Sequence, residues 1–546
     1  MDIKKKDIEK LGVSLLCLTA TSYPKYYLEM LYSSLSSESS ASARGIIISI
    51  IDNILASVEE ASSLCQDTGI PTFHVYFPSE LKMEPGIYDA FVQATQKATE
   101  EIPLRKNIVE PFTLENLGNN CGWGSPFIYF HHSSLSQKAL VRVELKGFGG
   151  EIKSNCDWIF TSTESMEDAV LAYLLNTVLL SKGENCIPGF IGLGVGGYQS
   201  EAAANAKQAV FRELNCRKEN CDSFLSRIEN RLYRCVNSLG LGPMGKGGDT
   251  TTLGVYLERR GTHTAASSVA VSHQCWASRA SEAVIEDGTI TYITPHVTKE
   301  DAPKYRQRLA EELQGDESES GALKIKIPEE IDKLFQVTAG DIVYLSGTVC
   351  TARDRAHQRM VELVRDGRSD QIPLEILDNG AIYHCGPVVS QKDGGYCVNA
   401  AGPTTSSRFT NDAAQLIEQG IIKISIGKGT MGAAAQESMR GRGIYLSAVG
   451  GCAVTYKNML EFIDVKWLDL GYPEAVWIFS VHNLGPLVVS IDSHGRSLMA
   501  KVLENVSHNA LRVYEKEGLD PDKRYTQYPQ TFAGLSLNEV LSTIKV

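Results

Sequence analysis

The chain has 546 residues, 43% of them hydrophobic and 22% charged, which exceeds the usual size of one hydrophobic core and predicts two or three globular domains. Its formal net charge of -12 excludes a broad basic surface for nucleic acid or anionic membranes, so an acidic ligand would need a local basic pocket.

The amino terminus, MDIKKKDIEKLG, mixes acids with lysines and runs into the short apolar segment Val13 to Leu18, which fits neither a signal nor a transit peptide. Thirteen cysteines, without the dense regular spacing of a small secreted scaffold, read as reduced thiols in a cytoplasmic protein. Ile46 to Ser63 predicts a helix. The apolar stretch Gly45 to Leu55 contains Asp52 and Asn53 and falls short of the roughly 20 residues of a membrane crossing, so no span is expected. Ala139 to Leu145 and Phe190 to Val195 predict strands, and Glu201 to Leu214 a helix. The charge-dense segment KEDAPKYRQRLAEELQGDESESG, residues 299–321, predicts a linker. After it, the β-rich runs Asp341 to Ser346, Ile421 to Ile426 and Leu487 to Ile491 alternate with helical pieces such as Asp412 to Gln419. No repeat is visible. The expected fold class is mixed α/β (α+β): an N-terminal domain over 1–298, the linker 299–321, and a compact C-terminal sheet-and-helix domain over 322–546.

Two glycine motifs invite a nucleotide. Gly192, Gly194 and Gly197 form GxGxxG between a strand and a helix, but the polar stretch NCRKENC follows where a second strand ending in a ribose-binding acid should stand. GLGPMGKGGDTTT has the glycines and lysine (Lys246) of a phosphate loop, yet Gly247 occupies the place of the magnesium-binding hydroxyl. Neither is expected to bind phosphate.

Three cysteines sit in glycine- or turn-rich contexts: Cys65 in SLCQDTGIP, Cys186 in ENCIPGF and Cys275 in AVSHQCWASRA. They are too far apart for a local CxxC knuckle, and each alone reads more readily as a buried thiol than as a ligand.

In combination these segments are specific. CQDTG, CIPGFIGLGVGG, MGKGGDTTTLGV and SSVAVSHQCWASR, followed by GDIVYLSGTVCTARDRAHQR, CGPVV, AGPTTSSRF, ISIGKGTMG, DLGYPEAVW and GPLVVSIDSHGRSL, resemble the two parts of the class I fumarase and L-tartrate dehydratase family in order. The resemblance covers nearly the whole chain beyond the first forty or so residues, with the two parts fused.

That resemblance implies a cluster-binding N-terminal domain and a swivelling-type C-terminal domain, with Cys65, Cys186 and Cys275 holding three irons of a 4Fe-4S cluster. It implies reversible hydration of fumarate to (S)-malate, or the related handling of L-tartrate or mesaconate, by a homodimer. Thr404 matches the family's proposed catalytic base or acid, with Asp67 and His263 at matching polar positions. Arg105, Arg353, Arg408 and Lys428 would hold the two substrate carboxylates, and Gln66 and Gly149 would line the pocket. Taken alone, Thr404 reads as a turn residue, His263 as a satisfied histidine and Asp67 as an Asx-turn former.

The sequence departs from the family at three places. KGFGGEI stands where KGGGSEN is usual, NNCGWGSP where NTGDN is usual, and Arg408, Phe409, Thr410 where RMD is usual. Altered substrate scope is the expected consequence.

Overall fold

The computed structural model describes the chain except residues 1, 79–81, 103, 133–137, 163–164, 213, 215–222, 287, 314–321, 393–394, 527–534 and 545–546. Two sheets build the N-terminal half. A five-stranded sheet has the order Thr289–Tyr292, Arg279–Glu286, Ala139–Leu145, Thr72–Phe77, Phe127–His132, and a four-stranded one the order Asn155–Phe160, Ala266–His273, Gly189–Val195, Thr252–Arg259. The chain passes between these sheets twice: Lys146 to Ser154 leads from one to the other, and Gln274 to Ser278 leads back. Both crossings carry site residues, because a strand that changes sheets must break its ladder and expose its backbone.

The C-terminal half winds around a closed sheet. Strands Ile342–Thr351, Ala381–Tyr383, Ile424–Gly427 and Ile444–Ser447 run parallel, and the long strand Val476–Ile491 pairs antiparallel with both the first and the last of them. Their near-continuous apolar sequences, ISIG and IYLS among them, suit strands buried on both faces. Arg353, His384, Lys428 and Gly450 all follow the carboxyl ends of those parallel strands, where open α/β sheets place their ligands.

The predicted elements appear with shifted ends: the first helix covers Ala41–Glu60, the second Gln199–Ala209, and the last Thr410–Glu418. The strand Ala139–Leu145 matches its expected bounds. The expected linker is corrected. Ala302–Leu313 is a helix whose Ala302, Tyr305 and Leu309 are buried, while Arg306 pairs with Asp52 and, at 2.9 Å, with Glu59. Apolar residues spaced by three and four hide among dense charges there, and the charges are held by the helix Ala41–Glu60. The remainder of that segment, 314–321, lies outside the described residues.

Helix Ala41–Glu60 is long and apolar enough by composition to cross a membrane, but it is an interior helix. Asn53, at its middle, donates to Leu64 O (2.9 Å) and accepts from Val454 N (3.0 Å) and Thr455 N (3.1 Å), tying the approach to Cys65 to the C-terminal half.

The glycine motifs serve packing. A Cβ on Gly192 would lie 1.9 Å from Ala206 O and one on Gly194 2.0 Å from Ala202 O, so these glycines let the helix Gln199–Ala209 press onto the strand. Lys246 is buried and donates to Ser490 Oγ (2.8 Å) and Gly429 O (3.2 Å), a contact across the two halves. Burial pushes its amine down to about 8.

Candidate active site

A cavity of about 560 Å³ opens between the two halves. From the N-terminal half, Gln66, Asp67, Arg105 and Gly149 line it; from the C-terminal half, Arg353, Thr404, Arg408 and Lys428 do. Eight residues singled out in the sequence thus meet at one place.

The three cysteines lie beside it, each buried and each in a loop between regular elements. Cys186 adopts φ 58, a left-handed conformation that costs a non-glycine residue free energy of order 1 kcal/mol or more. Its neighbours fix that conformation: Trp276 N donates to Cys186 O (3.1 Å) and Met244 N to Ile187 O (2.9 Å). The first bond also links the Cys186 loop to the Cys275 loop. Cys65 receives Asp67 N at 3.4 Å, and Cys275 lies 3.6 Å from Ser278 Oγ. Burial pushes the Cys65 thiol up to about 12, with Asp67 and Cys275 adding to the shift and Lys428 opposing it. The Cys275 thiol is also raised, first by burial and then by Cys186.

Two glycines keep the thiols clear. A Cβ on Gly450 would stand 2.5 Å from Cys186 Sγ, and one on Gly147 3.2 Å from Cys275 Sγ. Lys428 Nζ, from the opposite half, lies 2.9 Å from Cys186 Sγ. Its ammonium is strengthened by Cys186, Cys65 and Asp67 against the cost of its burial, which leaves its pKa raised. Among the described residues, no three His, Cys, Asp or Glu side chains approach closely enough to hold a single metal ion. A lone tetrahedral ion would draw its sulfurs to about 3.8 Å of one another, from metal–sulfur bonds of about 2.3 Å.

The basic groups differ in how they are engaged. Arg105 has no side-chain hydrogen bond or ion pair among the described residues. Arg353 is largely buried; its Nε lies 3.4 Å from Glu474 Oε1 but is not aligned for a hydrogen bond. Its pKa is lowered, first by burial and then by the facing Arg105. Arg105 has no carboxylate partner of its own, so the pair of guanidiniums leaves positive charge available to an anion. Arg408, half exposed, is already clamped by both oxygens of Asp354.

Thr404 is held through its backbone: its N–H donates to His384 O (2.7 Å), and its carbonyl accepts from Lys428 N (3.1 Å). Gln66 donates to Pro403 O at 3.0 Å, so the segment next to Cys65 supports the Thr404 loop. Asp67 forms an Asx turn, Oδ1 accepting from Gly69 N (3.2 Å), and uses Oδ2 to accept from Phe148 N (2.7 Å). The turn and the cavity position coexist. Gly149 lines the wall, and a Cβ there would still be 3.9 Å from Lys428 Nζ.

His263 lies apart from the other predicted residues. It is exposed in the loop between strands Thr252–Arg259 and Ala266–His273, accepting from Ala265 N at 3.1 Å. That loop opens the eight-residue strand Ala266–His273, about 25 Å long, whose far end leads to Cys275, and His263 does not line this chain's cavity. The altered NNCGWGSP segment also stays outside, with Cys121 packed toward Val92 and Trp123 exposed. It acts at one remove: Asn120 Oδ1 accepts from the backbone of Asn107, which lines the wall. Sequence reasoning missed Lys153 and Glu184, which pair at 2.7 Å in the cavity. Both lie in or next to segments already singled out, Lys153 directly after KGFGGEI and Glu184 two residues before Cys186.

The comparisons with known proteins agree with this architecture. Residues 10–284 match the family model described as Fumarate hydratase (Fumerase), and residues 294–502 the one described as Fumarase C-terminus. A protein of Geobacillus stearothermophilus assigned as a class I fumarate hydratase is 32% identical over 463 residues, covering 83% of this chain and 88% of the relative. A Methanocaldococcus jannaschii protein assigned as the alpha subunit of L(+)-tartrate dehydratase is 35% identical over 245 residues, 44% of this chain and 85% of its own. The L(+)-tartrate dehydratase subunit beta of Escherichia coli K12 is 38% identical over 176 residues, 32% of this chain and 85% of its own.

The molecule is thus a two-domain α/β enzyme of the carbon–oxygen hydro-lyase class. It belongs to the class I fumarate hydratase and tartrate dehydratase family, with the parts that are separate alpha and beta subunits in some relatives fused in one chain.

Proposed function

We propose that this chain is a 4Fe-4S-dependent hydro-lyase that interconverts fumarate and (S)-malate, working as a homodimer in a reducing cytoplasm. The observation that carries the reading is the grouping of three buried thiols from three loops with Lys428, at the side of a cavity lined by Arg105, which has no ion pair among the described residues, and by Arg353, whose contact with Glu474 is not a hydrogen bond. The donor set fits the cluster: thiolates suit iron and sulfide, and three of them leave one iron without a protein ligand. The space kept open by Gly147 and Gly450 beside two of the sulfurs suits a group larger than a single ion. Every described cysteine is a free thiol, as this chemistry requires.

Cys65, Cys186 and Cys275 would hold the cluster, which when bound supplies a Lewis-acid iron for the substrate hydroxyl. Arg105 and Arg353 would bind one carboxylate as a bidentate pair, and Arg408 the other on leaving Asp354. Thr404 Oγ would take the proton from the carbon beside the carboxylate, helped by the Lys428 ammonium, whose charge favours an alkoxide. Lys428 would also offset the charge that gathers on that carboxylate. Gln66 would keep the two halves in register during these steps, and Asp67 would hold the Phe148 wall of the cavity.

A second reading has its own observation. Phe148 and Ile152 present apolar side chains to the cavity at the altered KGFGGEI turn. They favour a methyl-substituted fumarate, mesaconate, over the hydroxyl-bearing L-tartrate. Anaerobic reconstitution with ferrous iron and sulfide, followed by parallel assays on fumarate, (S)-malate, L-tartrate and mesaconate, tests both. Turnover of fumarate is expected; a cluster-loaded protein that hydrates only mesaconate would replace the first reading with the second. A protein that binds no iron and sulfide would overturn both.

A further inference from the structure

Arg279 begins the strand that follows the Cys275 crossing, and its side chain is 0% exposed. Its Nε donates to Thr19 O at 2.7 Å and one terminal nitrogen donates to Ala277 O, but its other terminal nitrogen has no partner. Among the described residues no carboxylate lies within ion-pair distance of it. Its bond to Ala277 O holds the guanidinium against the crossing that carries Cys275, where Tyr23 Oη also donates to Trp276 O (2.5 Å), and besides burial the groups that act on its charge are Cys65, Cys275, Asp67 and Tyr23. A buried guanidinium without an anion is costly and is not retained for packing alone, since an apolar side chain would fill the space at no such cost.

We propose that Arg279 is the fixed countercharge of the cysteine seat: a positioning residue that offsets the negative charge of a three-thiolate cluster and raises its reduction potential. The proposal rests on the cluster reading above. As a thiol, neither Cys65 nor Cys275 neutralises Arg279; as cluster-bound thiolates, both do. The arginine then changes from a burden on the cluster-free fold to a support of the loaded one. Lys428 cannot substitute, because it approaches Cys186 from the other half and also faces the cavity.

The test compares the wild-type chain with Arg279→Gln and Arg279→Lys, each cluster-free and reconstituted. For Arg279→Gln the cluster-free protein is expected to melt no lower than wild type. Its loaded form should be about tenfold harder to reduce, a midpoint about 59 mV lower for a one-electron couple. Arg279→Lys, which keeps the charge, should restore most of that shift. Equal midpoints in wild type and Arg279→Gln, or an equal loss of melting temperature with and without cluster, would show a purely structural arginine. If Arg279→Gln yields no folded protein, Arg279→Met fills the same volume without charge. Arg279→Met then takes the place of Arg279→Gln in the comparison, a lowered midpoint that Arg279→Lys restores supporting the proposal and a wild-type midpoint refuting it. A wild-type chain that takes up no iron and sulfide fails at the earlier step and removes the cluster reading itself.

Discussion

Lys428 Nζ stands 2.9 Å from Cys186 Sγ, so a cation carried by one half of the molecule is set against a thiol carried by the other. Because both groups are drawn from the solvent, separating them leaves a buried charge without its partner. Lys428→Met should lower kcat at least about a hundredfold, the effect of losing roughly 3 kcal/mol of charge-assisted contact. Iron content after reconstitution should stay close to wild type, because every cysteine remains. Iron analysis beside steady-state kinetics checks this, and a fall in both by the same factor would place Lys428 in cluster retention instead.

Cys186→Ala is expected to abolish turnover and reduce bound iron, while the cluster-free chain melts within a few degrees of wild type. The strained φ at 186 is imposed by neighbouring backbone bonds that alanine leaves intact. Unchanged activity would sink the ligand assignment.

His74, His273 and His296 are each held neutral, burial pushing them down to about 4. Between pH 6.5 and about 4 the unfolded chain takes up protons at these sites that the folded chain does not, so stability is present above pH 6.5 and lost as pH falls. The slope is about 1.4 kcal/mol per pH unit for each group fully in that window. His296→Gln, which can keep the contact to Ser281 Oγ, should make the melting temperature fall less steeply between pH 7 and 5. An unaltered slope would mean that His296 does not stay neutral in the fold.

Phe148 projects from the altered turn into the cavity with its ring half exposed. Phe148→Ala should lower kcat/KM for mesaconate relative to fumarate by about tenfold, the usual worth of one methyl in an apolar pocket. Competition assays with both acids measure the ratio directly, and a constant ratio would remove Phe148 from specificity.

Asn53 satisfies one carbonyl and two N–H groups of two segments distant in the chain. Asn53→Ala would leave Leu64 O, Val454 N and Thr455 N buried without partners, costing about 2–3 kcal/mol. A lower melting temperature in both cluster-free and loaded protein is expected; a loss only in the loaded form would tie Asn53 to the Cys65 loop alone.

Much of this was legible in the sequence because it is local or carried by order along the chain. Strand Ala139–Leu145 follows from its alternation and apolar content, and the ordered motifs of both halves named the family and eight of the residues that meet in the cavity. Helix Ala302–Leu313 escaped because its three buried positions are scattered among charges whose partners, Asp52 and Glu59, are some 250 residues away in the chain. His263 escaped for the opposite reason: a matching motif fixes the order of residues but not which end of a strand faces the site. The contact of Lys428 with Cys186, the closure of the C-terminal sheet and the isolation of Arg279 were decided only in three dimensions. Each depends on burial and on groups distant in sequence, and a charge acquires its meaning from the dielectric and the neighbours that folding places around it.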